Sequence, residues 1–410
     1  MKRPSYANLV LAAASVVIVL IVCEGVVRVG GQTDENNQFY FGNQAIKPYA
    51  LPVTSVTRQI NEYVNAPTSY IEYDPDLGWT NRPKGASENG LYRANAAGLR
   101  AEREYDPVAQ PGILRIAIFG DSFTHGDEVP FEDSWGQQLE VLLNESGIHA
   151  EVINFGVGGY GMDQAFLRWQ RIGRQYAPDV VLFGFQAENV GRNVNIFRPF
   201  YDRRNAIPFF KPRFVLDGRQ SLQLTHTPTT PPEQVPEVIA NFIDSPLADL
   251  EEFFNKEDYT ETLWLKSKLI GLVYTYAEPR ISRLLKGNPP LNLFDPESEP
   301  GQLSLAIIEA FKEDVEAHGA DFVVIHLPLP TTLWQLSQDQ PIDYPEMLGY
   351  LDEHFRVVHT ENQFLDGITP IPDYFVGHYS AKGNAAVARS IADYLSDREL
   401  SMPKALTGND

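Results

Sequence analysis

Cysteine is nearly absent from this sequence. Its 410 residues include a single cysteine, Cys23, which lies inside an apolar run near the N-terminus. Disulfide frameworks and cysteine-based metal sites need several cysteines, and a thiol nucleophile needs one in the folded body. The sequence therefore excludes a disulfide scaffold, a cysteine metal site and a cysteine nucleophile in the body of the chain.

Basic residues are also in short supply. The 33 Lys and Arg residues face 54 Asp and Glu residues, which gives a net charge of −21 and a pI near 4.8. A nucleic-acid partner needs a basic stripe, so we expect none. The acidic residues are spread along the chain, which favours a role in solubility. With 43% hydrophobic residues, the length suits one large domain with insertions, or two domains.

The one long apolar run lies at the N-terminus. Residues Leu9–Cys23 are apolar except for a serine, and Lys2 and Arg3 precede them. A helix over Tyr6–Arg28 would span about 34 Å, enough to cross a bilayer core. Positive charge before the run predicts a single-pass membrane anchor with an extracytoplasmic body. The alternative is a signal peptide cleaved after Gly31, which would leave a secreted or periplasmic protein.

The chemistry of the sequence centres on Ile113–Gly126, ILRIAIFGDSFTHG. The apolar run Ile116–Phe119 predicts a buried strand of a parallel sheet, which ends at Gly120-Asp121-Ser122. A serine at the carboxyl end of such a strand lies where open α/β sheets bind ligands. Further strands alternate with amphipathic helices, which predicts a sheet covered on both faces. These predicted strands span 151–155, 179–185, 321–327 and 357–358.

Three stretches resemble the motifs of one family. The segment GDSFTHG after an apolar strand resembles the first motif of the SGNH (GDSL-type) esterases. Val152–Gly159, VINFGVGG, resembles their second motif, and Pro372–Ala388, with a glycine five residues after His378, resembles their last. The resemblance implies a three-layer α/β/α sandwich with a central parallel sheet, and neither a metal nor a cofactor.

The resemblance also implies roles for individual residues. Ser122 would be the nucleophile and His378 its general base. The backbone N–H groups of Ser122 and Gly159 would form the oxyanion hole, with Gly158 as the neighbouring possibility. The other histidines to weigh are His125, three residues after the serine, and one that ends a predicted strand, His359, for which we expect a structural role.

The third family motif, G-x-N-D, is altered in this sequence. Aligned on the following Val-x-Arg-Asn, Glu188 falls where the family has the asparagine that donates to the oxyanion. An acidic group there would oppose a developing negative charge. We therefore expect Asn189 to supply the donor after a shift of one residue, with Asn193 as the weaker candidate.

The acid of the expected triad is missing from its usual position. The family has aspartate three residues before the histidine, where this sequence has Phe375. An acid in a triad fixes the tautomer of the histidine and stabilises the imidazolium. We expect Asp373 to replace it, with Asp366 further away. If neither acid reaches His378, the site is a Ser-His dyad oriented by a backbone carbonyl.

These groups together fit acyl transfer through a covalent serine ester. We expect a serine ester hydrolase that acts outside the cytoplasmic membrane on an acylated carbohydrate or lipid. The first alternative is an O-acetyltransferase or deacetylase that acts on an exported or cell-envelope polysaccharide. An alternative of another class is a non-catalytic glycan-binding envelope protein with a degenerate SGNH site.

Composition also suggests how the chain is divided. Two turn-rich stretches, Asp74–Trp79 (D-P-x-L-G-W) and Asn95–Arg100 (N-x-x-G-x-R), precede the core, and we assign them no chemistry. The long insertion before the last motifs contains a predicted hairpin, Arg213–Thr225, and suggests a lid, a substrate-binding wall or a structural flank. The expected regions are a cytoplasmic tip and anchor (1–31), a stalk and small N-terminal region (32–110), a catalytic domain (111–398) interrupted by the insertion (197–300), and a tail (399–410).

Overall fold

The computed structural model describes residues 6–65, 70–203, 207–286 and 292–397. The expected tail, 399–410, and the basic pair Lys2 and Arg3 lie outside the described residues. The chain forms two compact units, one within Met1–Asn61 and Glu233–Leu291, the other within Glu62–Pro232 and Asn292–Asp410. These boundaries differ from the expected regions because the units follow contacts, whereas the expectations follow changes of composition.

The described strands and helices follow one another along the chain. The strands are β1 (Gly31–Thr33), β2 (Phe39–Phe41), β3 (Gln44–Ala45), β4 (Ile71–Asp74), β5 (Gly78–Asn81), β6 (Leu114–Phe119), β7 (Ala150–Asn154), β8 (Val180–Phe185), β9 (Arg213–Leu216), β10 (Leu222–Thr225), β11 (Asp321–His326) and β12 (Val357–His359). The helices are α1 (Tyr6–Gly30), α2 (Val53–Asn65), α3 (Ser122–His125), α4 (Trp135–Glu145), α5 (Met162–Arg171), α6 (Asn189–Asn193), α7 (Arg198–Tyr201), α8 (Val235–Ala240), α9 (Lys256–Tyr259), α10 (Lys268–Lys286), α11 (Glu299–Ala317), α12 (Pro330–Ser337), α13 (Pro345–His354), α14 (Glu361–Phe364) and α15 (Ala381–Ser396).

The larger unit is built on a five-stranded sheet in the order β12-β11-β8-β6-β7, in which every pair is parallel. Side chains alternate between the two faces of a strand. On one face of β6, Ile116 and Ile118 pack in a core with α4 and α15. On the other face, the Phe119 ring lies 5.8 Å from Trp169 of α5 and 5.7 Å from Phe311 of α11. The predicted α/β/α sandwich is confirmed.

Strand order explains where the motifs meet. Strand β6 has β7 on one side and β8 on the other, so the chain reverses its direction across the sheet after β7. At such a switch point the connections leave in opposite directions and open a crevice at the carboxyl ends of the strands. The turn that carries Ser122 follows β6, and the altered third motif follows β8. The sheet therefore brings these two segments to the same edge.

The expected insertion is divided between the two units. Its hairpin is confirmed, because β9 and β10 pair antiparallel around the turn Asp217-Gly218. This part of the insertion belongs to the larger unit, whereas α8, α9 and α10 belong to the smaller one.

The segment expected to be a stalk is folded in the smaller unit. Strands β1, β2 and β3 form a small antiparallel sheet. Its few apolar side chains are covered by residues far away in the sequence, which local composition does not reveal. The buried cluster contains Val27, Phe39 and Ile46, with Leu269 and Leu272 packed against it.

Helix α1 is the predicted N-terminal apolar helix. It runs for 25 residues, and its most apolar window has a mean hydropathy of 2.7. In the described part of the chain it is the one helix that is long and apolar enough to cross a membrane. Length and hydropathy alone fit both a membrane anchor and a signal sequence.

Candidate active site

The candidate nucleophile and base are in direct contact. The Ser122 Oγ lies 2.8 Å from the His378 Nε2, although 256 positions separate the two residues in the sequence. Ser122 begins α3, and the Asp121 carboxylate before it accepts a hydrogen bond from the Phe123 N–H at 3.0 Å. The Arg192 Nη1 donates to the other Asp121 oxygen at 3.0 Å. The aspartate of the GDS turn therefore braces the turn itself.

A carboxylate from the loop after Ser122 holds the histidine. The backbone N–H of His378 donates to the Glu128 Oε2 at 2.7 Å, and the His378 Nδ1 lies 3.6 Å from the Glu128 Oε1. The Phe123 ring packs against the imidazole, with centroids 4.8 Å apart. The Nδ1 atom is buried and makes no hydrogen bond with the described residues. Glu128 thus faces the ring atom that a triad acid would contact.

The structure does not bring Asp373 into contact with His378. Its carboxylate is about half exposed and lies 3.6 Å from the Lys382 Nζ, and no contact with His378 is found among the described residues. Phe375, at the usual position of the acid, packs its ring against Tyr379, with centroids 5.4 Å apart. Glu128 is far from His378 in the sequence and reaches it from the loop that follows the first motif.

The backbone conformations of Glu128 and Gly377 allow the Glu128 carboxylate to approach His378. Glu128 has a φ of 71°, a left-handed conformation that side chains other than glycine adopt only rarely. Gly377 has a φ of 125°, and a Cβ there would lie 2.5 Å from both carboxylate oxygens of Glu128. A side chain at position 377 would therefore displace the carboxylate. The only sequence signal for Glu128 is an acidic pair, Asp127-Glu128, just after the first motif.

His125 is engaged elsewhere. Its fully buried ring has the Nε2 at 2.8 Å from the Tyr70 hydroxyl and the Nδ1 at 2.5 Å from the Asp127 Oδ1. Burial lowers the pKa of His125 and favours the neutral ring. Since both ring nitrogens have partners, the ring has no nitrogen left to act as a base for Ser122.

Ser122 and His378 open onto a cavity of about 450 Å³. Its wall combines tyrosines, charged groups and the glycines of the second motif. The first part of the insertion contributes four of the lining residues. The lining residues are Tyr70, Ile71, Tyr92, Ser122, His125, Asp127, Gly158, Gly159, Glu188, Arg192, Arg198, Tyr201, Asp202, Ile207 and His378.

The loop at the end of the second motif has three successive carbonyl groups held by side chains. Gly159 has a φ of 78°, which glycine adopts without strain. None of the described residues accepts a hydrogen bond from the Ser122 or Gly159 N–H, so both remain available as donors. Three successive carbonyl groups accept hydrogen bonds from side chains: Gly158 from the Trp79 Nε1 at 2.9 Å, Gly159 from the Arg198 Nη2, and Tyr160 from the Arg192 Nη1 at 3.0 Å.

The third motif places its residues differently from the expectation. Glu188 lines the cavity, whereas Asn189 is buried and is not among the described lining residues. The Asn193 Oδ1 accepts from the first two N–H groups of α5 at 3.0 and 3.3 Å, so Asn193 supports that helix. Gln186 is fully buried, and neither atom of its amide has a partner among the described residues. Gln186 stands two residues after Gly184, which is the position of the asparagine in G-x-N-D. Alignment on the later Val-x-Arg-Asn residues places Glu188 at that position instead.

A buried cation lies beside the glycine loop. Arg198 is only 2% exposed and lines the cavity. Burial, together with the charge of Arg192, lowers the pKa of Arg198 to about 9. A guanidinium with little water around it attracts negative charge more strongly than an exposed one. The cavity therefore presents positive charge near Gly159, opposite in sign to Glu188.

Two histidines and a glutamate form a cluster of possible metal ligands elsewhere in the larger unit. Single ligand atoms of His326, His359 and Glu361 all lie within 4.8 Å of one another. The two carboxylate oxygens each pair with an imidazole: Oε2 with the His326 Nδ1 and Oε1 with the His359 Nδ1, both at 2.9 Å. These hydrogen bonds explain why the three side chains lie close together. The hydrogen bond to Glu361 raises the pKa of His359 to about 9.

No family model and no curated protein matches the chain. Among solved structures it is similar to a lipolytic protein of the G-D-S-L family from Desulfitobacterium hafniense, at 14% identity over 68% of this chain and 98% of that chain, with a TM-score of 0.33. It is also similar to TesA, at 10% identity over 68% and 97% of the two chains, with a TM-score of 0.35. A variant of Axe2, an acetylxylan esterase from Geobacillus stearothermophilus, matches at 11% identity over 69% and 94%, with a TM-score of 0.36.

We predict that His359 stabilises the larger unit in a pH-dependent way. The pKa of His359 is raised from 6.5 to about 9, so its contribution is complete below pH 6.5 and is lost as the pH rises through 9. Urea unfolding of wild type and His359→Gln should show a difference in unfolding free energy that is largest at pH 6 and vanishes near pH 10. His149→Gln, at an exposed position, is the matched control. A His359→Gln difference that stays constant from pH 6 to 10 contradicts the prediction.

Proposed function

We propose that the chain is an SGNH-type serine ester hydrolase whose reaction takes place in the cavity at Ser122. The single observation that carries this proposal is the 2.8 Å contact between the Ser122 Oγ and the His378 Nε2. A nucleophile within hydrogen-bond reach of a base, with a third group facing the base, is the arrangement that activates serine. The proposal also rests on the resemblance of the GDSFTHG segment to the first family motif.

The first chemical step follows from this geometry. The Ser122 Oγ attacks the ester carbonyl while its proton passes to the His378 Nε2. The carbonyl oxygen becomes an oxyanion, and the free Ser122 and Gly159 N–H groups are the donors that we assign to it. The protonated imidazole then donates to the leaving alcohol, and an acyl-serine remains. Water, activated by the same imidazole, hydrolyses it.

Glu128 is the acid that we assign to this step. For the His378 Nε2 to accept the serine proton, the Nδ1 must carry hydrogen, and the Glu128 Oε1 faces it at 3.6 Å. Such contacts are often long in an empty site and shorten when the imidazolium forms. The second carboxylate oxygen is anchored on the His378 backbone at 2.7 Å, so a small side-chain rotation would close the gap.

The charges in the cavity bear on the non-catalytic alternative. Glu188 motivated that alternative, because a carboxylate near the oxyanion would oppose catalysis. The structure also places Arg192 and Arg198 in the cavity wall. Arg198 holds the carbonyl of Gly159, so its charge lies next to the expected oxyanion hole. Three carboxylates, those of Asp127, Glu188 and Asp202, also line the cavity, so the support for a working oxyanion hole is the position of Arg198 beside Gly159 rather than the net charge.

The cavity favours an ester of a small acyl group. A volume of about 450 Å³ holds a short acyl chain and part of the alcohol. Tyr70, Tyr92 and Tyr201 line it together with charged groups, and such mixed walls suit a polar alcohol. We therefore propose an acylated carbohydrate as the substrate, with an acylated lipid as the second possibility. Transfer of the acyl group to a polysaccharide hydroxyl would use the same acyl-serine.

Contacts at the end of α1 support an anchor over a cleaved signal. The Glu24 carboxylate accepts from the Lys268 and Leu269 N–H groups at 3.0 and 2.8 Å, at the start of α10. Arg28 donates to the Lys266 carbonyl at 2.8 Å. Cleavage after Gly31 would remove all of these contacts. We therefore propose that α1 is retained as a membrane anchor with the rest of the chain outside the cytoplasm.

The enzyme proposal is tested with a simple ester and a covalent probe. We expect the purified chain to hydrolyse p-nitrophenyl acetate, and a fluorophosphonate to label Ser122, as located by peptide mass spectrometry. Ser122→Ala should lose labelling and at least about 10³-fold in kcat, because the nucleophile is gone. Ser134→Ala, a buried serine outside the cavity, is the control. Equal inactivity of folded wild type and Ser122→Ala, without labelling, would favour the glycan-binding alternative.

The assignment of the acid is tested by two isosteric changes. Glu128→Gln keeps an oxygen that can accept the His378 N–H but removes the charge that would stabilise an imidazolium. We expect kcat to fall about 10²-fold or more, with little change in KM. Asp373→Asn should retain wild-type kcat, because its carboxylate faces Lys382. A large loss in Asp373→Asn with normal Glu128→Gln would reverse the assignment.

The fate of α1 is tested by the intact mass of the protein expressed with its full sequence. We expect the chain to sediment with membranes, to resist extraction by carbonate, and to retain residues 1–31 by mass spectrometry. The reason is that Glu24 is bound to the start of α10 and Arg28 to the Lys266 carbonyl just before it, contacts that need α1 to be retained. A soluble product beginning at Gln32 would instead establish a cleaved signal.

A further inference from the structure

Trp79 connects the stretch before the core to the loop of the second motif. It closes the D-P-x-L-G-W stretch, lies in β5, and has a fully buried side chain. Its indole Nε1 donates to the Gly158 carbonyl at 2.9 Å. From the sequence we expected no chemistry in this stretch. Its last residue nevertheless donates a hydrogen bond to a carbonyl of the loop that lines the cavity.

The direction of one peptide group follows from this hydrogen bond. In a planar trans peptide the C=O of one residue and the N–H of the next point in opposite directions. The Gly158 carbonyl points at Trp79, so the Gly159 N–H points away from it. Gly158 and Gly159 line the cavity, whereas Trp79 is not among the described lining residues. The Gly159 N–H is turned away from Trp79, has no acceptor among the described residues and belongs to a residue that lines the cavity, so it is free to face the cavity.

The indole itself is fixed in place. The Tyr160 hydroxyl donates to the Trp79 carbonyl at 2.7 Å, and the two rings meet edge to face with centroids 5.9 Å apart. Strand β5 pairs with β4 around Trp79. A Cβ on Gly159 would lie 3.5 Å from the indole, so the ring also packs directly against the loop. Because these contacts fix the position of the indole, its N–H can in turn fix the orientation of the Gly158–Gly159 peptide.

We propose that Trp79 is a positioning residue for the oxyanion hole, which it serves by holding the Gly158–Gly159 peptide with its N–H turned toward the cavity. This inference rests on the ester hydrolase proposed above. A glycine pair has little steric barrier to rotation of the peptide between its two residues. Without the indole donor, that peptide can rotate and withdraw its N–H from the oxyanion. The contribution of Trp79 is thus made in the transition state, through Gly159.

The test compares two buried tryptophans. Trp79→Phe keeps an aromatic ring but removes the donor to Gly158. Trp169→Phe is the matched control, because Trp169 is equally buried and its Nε1 donates to the Asp314 Oδ1 at 2.9 Å, outside the cavity. The measurements are kcat and KM for p-nitrophenyl acetate, the pH profile, the unfolding midpoint, and the inhibition constant of a boronic acid that forms a tetrahedral adduct with serine.

For Trp79→Phe we expect kcat to fall about 10-fold or more, since losing one oxyanion donor outright costs about 10²- to 10³-fold. KM should stay within about twofold, the pH profile should keep its shape, and the boronate should bind more weakly by about the same factor as kcat falls. Trp169→Phe should change only the unfolding midpoint.

Two results would overturn the inference while leaving the hydrolase intact. One is an active wild type whose Trp79→Phe variant has unchanged kcat and boronate affinity. The other is an equal loss of kcat in Trp79→Phe and Trp169→Phe, which would mean a general effect of weakened packing. A folded wild type with no hydrolysis and no boronate binding instead rejects the proposed function, and the role of Trp79 with it.

Discussion

The hydrogen bond from the His378 backbone to the Glu128 carboxylate is the contact on which the candidate site depends. It joins the loop after Ser122 to the segment that carries the imidazole, across 250 positions of the sequence. The same carboxylate faces the Nδ1 of the ring, so one side chain both docks the segment and approaches the base. Gly377 leaves the space that this approach requires, and the strained backbone at Glu128 aims the carboxylate.

The turn-rich stretches before the sheet support the same loops from outside it. Arg100, from the N-x-x-G-x-R stretch, donates to the carbonyls of His125 and Val129 at 2.9 and 2.6 Å. Tyr92 accepts from the Glu128 N–H at 2.7 Å. Burial lowers the pKa of Arg100, and the hydrogen bonds from its two Nη atoms to these carbonyls offset part of the cost of burying the cation. The region before the sheet therefore fixes the backbone of the loop after β6, which carries Glu128.

Prediction from the sequence succeeded where structure is local. Strand β6 was expected over Ile116–Phe119 and runs over Leu114–Phe119, because a short apolar run bounded by glycine is a local signal. The Asp217-Gly218 hairpin followed from turn chemistry in the same way. Asp373 was expected as the acid because it is near His378 along the chain, whereas the carboxylate that faces the ring in space is that of Glu128. The segment expected to be a stalk is folded, because its apolar side chains are covered by residues of α10 that local composition does not reveal.

By itself the sequence determined the alternation of strands and helices, the serine on its turn and the histidine before the last helix, since periodicity and turn residues act over a few positions. Only the tertiary structure decided which carboxylate meets the histidine, that Glu188 and not Asn189 lines the cavity, and which side chains hold the glycine loop. These are contacts between segments that the sheet brings together, and their partners cannot be recognised from neighbouring residues.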